Sequence, residues 1–593
     1  MGSIVTIIDS GISSLSDAFK NVIASYKIEK NDYNDYSISE FKDDKDVLGH
    51  GTMVADLIYK EDPTVKIISF NICNDATNPD EETLIQALEF IYDKNIVTEL
   101  INISVGVTYI NDYHRLKSIC KKLRDRGIIL ISAFDNDGAI SYPAALDSVI
   151  GVDVTNDYVN RKNIGLVKNA IVNIIVPNIF YRINLYKKRF IVQGTSFACA
   201  RITGLISAII TNDKNPKDLL KQISDYVICV DKCMDLEDAI CKFQIKKAVL
   251  FPVNKESHAV LRFADDCKFD LINIYDERMT GKIGTKLLNY VIEEIDSLDW
   301  NSSFDTFILS CYSELQRLTK KDYINSFVYK AKKNNKQIYA FESLEKMEDE
   351  DPYFFYPKIT NEMVPKYNMK KLHKISMPVV GVYGTSSKQG KFTLQLELIK
   401  LLKKMGYQVG HIASEPSGYL FNSDYVFHFG YHAYMNMDLR DCIAILNEMV
   451  WKIQMKNKDI LITGCQSGSI HYEALKLDDF AIYQYAFTLG TLPDFFILCV
   501  NPHDELEYIH QTIKFLDSID NGKVCAIVIF PVKATTNLWR NEFKREIASE
   551  NEINKFREYL ARELSLPIYL LDAEKDIIQL CKQIVDCFNV VDN

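Results

Sequence analysis

The sequence predicts a multidomain α/β protein, and three observations carry that expectation. The chain has 593 residues, more than one hydrophobic core holds, and domains of ordinary size would number about three or four. Short apolar runs such as IILISAF, IKKAVLF and DILITG alternate with amphipathic stretches, the pattern of parallel strands joined by crossover helices. A further run, MPVVGVYG, passes through a glycine loop into KFTLQLELIKLLKKMG, a strand, loop and helix suited to holding phosphate.

Composition narrows the classes. The chain is 47% hydrophobic and 25% charged with 15 Pro, as expected of an ordinary folded protein. A net charge of -11 excludes a general nucleic-acid binder, which needs a basic surface. No apolar run is long enough to span a bilayer, so no membrane partner is expected. The 14 Cys are scattered without the paired spacing of a zinc site, which predicts reduced thiols and no bound metal.

In chain order, the first elements carry chemistry. The strand-like VTIID ends on Asp9, followed by Ser10-Gly11; His50 stands in Gly-His-Gly-Thr; Ser196 stands in Gly-Thr-Ser-x-Ala, ahead of the helix-like GLISAIIT. A serine hydrolase needs a hydroxyl nucleophile, an imidazole that takes its proton and a carboxylate that holds the imidazole in one tautomer. The strand IILISAF runs into Asp135-Asn136-Asp137-Gly138, where the Asn136 amide is a candidate donor to a developing oxyanion. Singly, each block also reads as a turn or a helix cap. Together and in this order they read as a catalytic set.

Those flanking residues, and the order Asp, His, Ser, resemble the subtilisin-like serine proteases (subtilases) over about residues 1–240. The resemblance implies a parallel-sheet domain with Asp9, His50 and Ser196 as the triad and Asn136 in the oxyanion hole. It also implies that Ser104, Val105 and Gly106 of INISVG edge the primary specificity pocket. Asp135 and Asp137 would close another side, and carboxylates there favour cleavage after Lys or Arg; solvated turn carboxylates are the alternative. Two departures, Ala200-Arg201 where the family has Pro-His and Asp135 where it has Gly, touch helix packing and the pocket wall. The chemistry needs no cofactor. Met1 lies a few residues before the first strand, leaving no room for a signal peptide or folding pro-domain, so a cytoplasmic protein is expected.

The expected domains are 1–243 for the protease-like unit, 244–375 for a Rossmann-like α/β domain and 376–593 for a P-loop domain. The second lacks a G-x-G-x-x-G fingerprint, so no dinucleotide is indicated, and Gly281-Lys282-Ile283-Gly284 reads as a turn. A stretch rich in Pro, Tyr and charge, from Asp349 to Ile375, leads into the third. There Gly384, Thr385, Ser386, Ser387, Gly390, Lys391, Phe392 and Thr393 form the candidate nucleotide site, with backbone N–H groups and Lys391 facing phosphates. The fit to G-x-x-x-x-G-K-[ST] is imperfect: Gly384 is one residue early, and Phe392 separates Lys391 from Thr393.

That variant resembles a P-loop family of poorly defined function with a Rossmann-like N-terminal half, one member being an N-acetyltransferase of D-glutamate breakdown. It is also similar to peptide maturation system proteins of bacterial gene clusters. ATP or GTP with Mg²⁺ is the expected cofactor, a CoA ester the alternative. Thr463 stands where a carboxylate would order Mg²⁺; Asp459 sits at that strand's other end and Glu415 or Asp424 could substitute, so binding with slow or absent hydrolysis is expected. The combined reading is an endopeptidase that trims a peptide or protein precursor, such as a ribosomally made peptide, coupled to a P-loop module that binds substrate or gates activity. The alternatives are a P-loop transferase or ligase using the first domain for recognition, and an NTP-controlled defence protease. Oligomeric state has no sequence signature here.

Overall fold

The computed structural model describes residues 2–30, 35–40, 46–73, 80–156, 163–185, 188–210, 215–343, 352–429, 437–471, 481–502, 504–537 and 542–589. It divides into two compact units, Met1–Cys233 with Pro365–Ser376, and Met234–Val364 with Met377–Asn593. The first break comes earlier than the boundary read at 243, because Met234 N donates to the Glu362 carbonyl at 2.7 Å. Residues 365–376, read as the end of the second domain, belong to the first unit. The amides of Ile140 and Ile171 donate to the carbonyls of Leu372 and Tyr367 at 2.9 and 3.0 Å. Residues 349–351 of the linker stretch lie outside the described residues.

In the first unit the apolar runs become strands of one ten-stranded sheet among the described residues. Its middle runs in the order Val22–Lys30, Lys66–Asn71, Ile4–Asp9, Leu100–Ile103, Ile129–Ala133, Val149–Thr155, Ile174–Pro177, each parallel to the next. Strands covered on both faces should be apolar throughout; Leu100–Ile103 and Ile129–Ala133 are buried at every residue. In-register pairing of Ile8 with Ile103, and of Ile103 with Ser132, brings the carboxyl ends of three strands to one edge. Asp9, Ser104 and the turn at 135–138 sit there.

Two helices present their N-termini toward that chemistry, His50–Glu61 and Thr195–Ile209. Each starts after a glycine with positive φ, Gly49 at 75° and Gly194 at 127°, where an L side chain would be strained. They pack against each other closely: a Cβ on Gly204 would lie 2.8 Å from Glu61 Cβ and 3.0 Å from the Ile58 carbonyl oxygen. Val54, Ile58, Ala198, Ile202 and Ile206 fill the layer between helices and sheet, each essentially without exposure.

The second unit holds two seven-stranded sheets. One runs Lys286–Leu287, Tyr290–Glu294, Asp270–Asp276, Lys247–Phe251, Thr306–Leu309, Gln337–Ala340, Phe354–Phe355, parallel except at its first strand. Chain order across it reverses at Lys247–Phe251, as in Rossmann sheets. The other is parallel throughout: Tyr425–Val426, Val409–Ala413, Ile460–Gly464, Val379–Gly384, Phe495–Val500, Lys523–Ile529, Ile568–Leu570. Its central strand Val379–Gly384 is fully buried and feeds the helix Lys391–Lys404 through the glycine loop. Gly281 and Gly284 lie in turns with φ of 71° and 78°. Among the described residues no helix is long and apolar enough to cross a membrane.

Candidate active site

Asp9 and His50 are brought together by the strand end and the helix start. His50 Nδ1 lies 2.8 and 3.0 Å from the two Asp9 carboxylate oxygens. The aspartate side chain is 2% exposed and the histidine 33%, so the acid is sealed while one edge of the imidazole reaches solvent. The Asp9 charge raises the His50 pKa above its ordinary 6.5, and burial opposes it with a smaller effect. An imidazole held by Nδ1–H leaves Nε2 as the basic nitrogen.

Ser196 is the second residue of its helix. Its Oγ donates to the Ser104 carbonyl at 3.0 Å, so in this rotamer the hydroxyl is turned to the pocket edge rather than to the imidazole. The His50 ring stands 5.3 Å from the ring of Phe197, the next residue. The first turn of a helix has N–H groups without intrahelical partners, and the Ser196 amide is one of them. Asn136 is fixed on its carbonyl side: its Oδ1 accepts from Thr195 N at 3.0 Å and from Thr195 Oγ1 at 3.1 Å. The Nδ2 donors therefore face away from Thr195. A Cβ on Gly194 would approach Asn136 Oδ1 to 2.9 Å, which is why the position before Thr195 is bare.

The expected pocket residues line up along two neighbouring backbones. Ser104 is buried and its Oγ donates to Asn102 Oδ1 at 2.8 Å. A Cβ on Gly106 would lie 3.2 Å from Ser141, and Val107 exchanges backbone hydrogen bonds with Tyr142 at 2.9 and 2.8 Å. Asp135 Oδ2 accepts from Asp137 N at 2.9 Å and Ala139 N at 3.4 Å, and Asp135 N donates to Ser141 Oγ at 2.9 Å. Its carboxylate thus shapes its own turn. Asp137 is exposed.

Sequence reasoning missed three residues that hold this arrangement. Buried Asp46 accepts from Ser10 Oγ, Gly49 N, Thr52 N and Thr52 Oγ1 at 2.9, 2.7, 2.8 and 2.5 Å, clamping the start of the histidine helix to the aspartate strand. Thr195 orients Asn136. Asn102 Nδ2 donates to Thr203 Oγ1 at 2.8 Å, tying the serine helix to the sheet. An acid four residues before His50 was the available sign for Asp46; the other two gave none.

In the second unit the glycine loop ends at Gly390, φ 69°. Lys391 is buried, its Nζ donates to the Ser386 carbonyl at 2.6 Å, and burial lowers its pKa. Gln389 braces the loop, accepting from Ser386 N at 3.0 Å and donating to Thr385 Oγ1 and Asp504 Oδ2 at 2.6 and 3.1 Å. Phe392 stacks on His411 with ring centroids 6.2 Å apart, leaving Thr393 to line a cavity of about 1150 Å³ with Ser387, Gly390, Lys391, Glu415 and Lys255. Burial raises the Glu415 pKa. Of the carboxylates expected near a metal, Glu415 lines this cavity, whereas Asp424 accepts from His411 N at 3.0 Å and Asp459 from Gln408 N at 2.5 Å. Buried Thr463 donates to the Ile412 carbonyl at 3.1 Å. The cradle suits a polyphosphate; Thr393 and Glu415 are the oxygens that would hold a metal ion accompanying it.

Comparison with known proteins finds two families along the chain, the second match starting within the segment 365–376 that folds with the first unit. Residues 1–228 match the subtilase family, and residues 366–569 match the P-loop domain of DUF1611, a domain of unknown function. The chain carries a subtilase domain at its N-terminus and a DUF1611 P-loop domain toward its C-terminus. Among curated proteins, the minor extracellular protease Epr of Bacillus subtilis is 30% identical over 165 residues, 26% of this chain and 23% of that protein. Subtilisin DY of Bacillus licheniformis is 25% identical over 226 residues, 35% of this chain and 76% of that protein. The match thus spans under a quarter of Epr. A DUF1611 family protein from Anabaena variabilis is 14% identical, with a TM-score of 0.40 over 58% of this chain and 100% of that one.

Proposed function

We propose that the protein is a serine endopeptidase of the subtilisin type, cleaving an extended segment of a peptide or protein precursor such as a ribosomally made peptide. The observation that carries this reading is the Asp9 carboxylate on His50 Nδ1 at 2.8 Å, beside a Ser196 at a helix N-terminus and an Asn136 whose carbonyl is already held by Thr195. Asp9 keeps the proton on Nδ1, so Nε2 can accept the Ser196 proton as Oγ leaves the Ser104 carbonyl and attacks the scissile carbon. Asn136 Nδ2 and the Ser196 amide donate to the resulting oxyanion. His50 then gives its proton to the leaving amine, and water repeats the sequence on the acyl-enzyme. The freed Ser104 carbonyl and the edge through Gly106 offer the backbone on which an extended substrate would lie. Buried thiols outside any disulfide, Cys120, Cys199, Cys442 and Cys465 among them, support work in a reducing compartment. Fluorophosphonate labelling of the intact chain tests the reading: label on Ser196, lost in Ser196→Ala, is expected, and an unlabelled folded protein would overturn it.

The P-loop unit binds ATP or GTP with Mg²⁺ in this proposal and shifts peptidase activity. Bound there, the nucleotide supplies a polyphosphate that Lys391 and the loop amides hold. Lys391→Ala removes the shift while basal cleavage stays; calorimetry with each nucleotide, paired with cleavage assays, checks both. The size of the cavity favours a second reading, a transferase on an amino acid or peptide with a CoA ester at the same loop. Binding of CoA esters in preference to nucleotides would select it.

A further inference from the structure

Residues 365–376 fold with the first unit although the chain reaches them only after the whole Rossmann-like sheet. Lys366–Asn368 form a 3₁₀ turn and Met369 and Lys370 have positive φ; beyond them Lys371 and His373 are buried with Leu372 exposed between, the alternation of an extended chain. That pattern is the reverse of a simple surface cover, which would turn leucine inward. The two inward polar groups both meet partners. Lys371 Nζ pairs with Asp153 Oδ2 at 2.8 Å, side chains 9% and 13% exposed, and lies 5.2 Å from the centre of the Phe134 ring. His373 Nδ1 and Tyr142 Oη share a buried hydrogen bond of 3.3 Å. The Leu372 carbonyl accepts from Ile140 N, Met369 packs beside Phe134 and Ala144, and Lys374 Nζ stands 5.2 Å over the Tyr109 ring.

Three of these partners, Phe134, Ile140 and Tyr142, adjoin the candidate site. Phe134 immediately precedes Asp135-Asn136, Ser141 receives the Asp135 amide, and Tyr142 pairs with Val107 at the end of the Ser104–Gly106 edge. We propose that the segment 365–376 is a strap that completes the peptidase unit, with Lys371 and His373 as positioning residues for the Asn136 turn and the pocket wall. The proposal rests on the peptidase reading. Along the chain the strap adjoins the phosphate-loop strand, since Val379–Gly384 begins three residues after it.

The test uses the full chain. Wild type is first labelled with a fluorophosphonate and assayed on a fluorogenic peptide. His373→Phe, and the pair Lys371→Met with Asp153→Asn that removes both charges together, should each lower kcat about tenfold or more with Tm still well above the assay temperature. Lys371→Arg should keep activity within about twofold, since it retains the cation against Asp153. In an Asn136→Ala background the same strap substitutions should cost almost nothing further, because neighbours acting on one function are not additive. Equal losses in both backgrounds, or unchanged kcat, would overturn the strap as a positioning device and leave the peptidase reading intact. If wild type is neither labelled nor active, that reading fails first. The strap is then judged by hydrogen exchange at the Ile140 and Ile171 amides, whose rapid exchange in wild type would overturn it.

Discussion

At the scale of single residues, Asp9 and His50 set the pH behaviour. The Asp9 charge holds the folded pKa of His50 above 6.5, and the imidazole acts as a base only when neutral. Activity should therefore fall as pH drops through a value above 6.5, and the acid limb of kcat/KM against pH reads it directly. The same shift contributes stability that is fully present below pH 6.5 and is lost as pH rises through the folded value. Asp9→Asn should move the acid limb downward, because the charge is lost, and lower kcat by about 10⁴, because the amide can donate to Nδ1 and so hold the imidazole in the tautomer protonated at Nε2. Asn136→Ala leaves that pair untouched and should lower kcat by roughly 10²–10³; presteady-state acylation rates separate the two effects. Asp46 works differently. Asp46→Ala strands four donors in a buried turn and should cost about 3 kcal/mol, seen as a lower denaturation midpoint with an unchanged denaturant slope.

At the scale of elements, the site depends on how two helix N-termini are set against each other. Gly204 lets the serine helix approach the Ile58 carbonyl of the histidine helix, and a methyl group there has backbone on one side. Gly204→Ala should destabilise by about 1–3 kcal/mol and lower fluorophosphonate labelling as well, since the helices can part only by moving His50 from Ser196. A thermal melt with a labelling time course checks both. Of these two helices only the one after Ser196 was legible in sequence, from the apolar run GLISAIIT. Their close packing was not, because a glycine inside a helical run looks like a weak helix former until its neighbour is known.

At the scale of the whole molecule, the phosphate loop and the peptidase belong to different compact units, so any influence of one on the other is a shift between arrangements that a ligand favours unequally. A several-fold change in peptidase rate with ATP or GTP and Mg²⁺ is expected, reading as a coupling of about 1–2 kcal/mol. It should vanish in Lys391→Ala while Ser196 labelling without nucleotide stays equal to wild type. Titrating nucleotide in the cleavage assay measures it.

What the sequence determined by itself was the candidate set of site residues. Asp9, His50, Asn136 and Ser196, and the loop from Gly384 to Thr393, are short local patterns whose meaning lies in residue type and neighbours, and such patterns survive in one dimension. The alternation of strands and helices likewise announced parallel sheets, since fully buried strands must be apolar along their length. Only the tertiary structure decided that Asp46, Asn102 and Thr195 hold the site. It alone turned the Asp135 carboxylate into its own turn, and it alone returned residues 365–376 to a unit that the chain had left at residue 233. Each of the bonds from Asp46 to Ser10, Asn102 to Thr203, Asn136 to Thr195 and Lys371 to Asp153 joins groups far apart in sequence. Its energy depends on burial and partner geometry, and neither exists until the chain has folded.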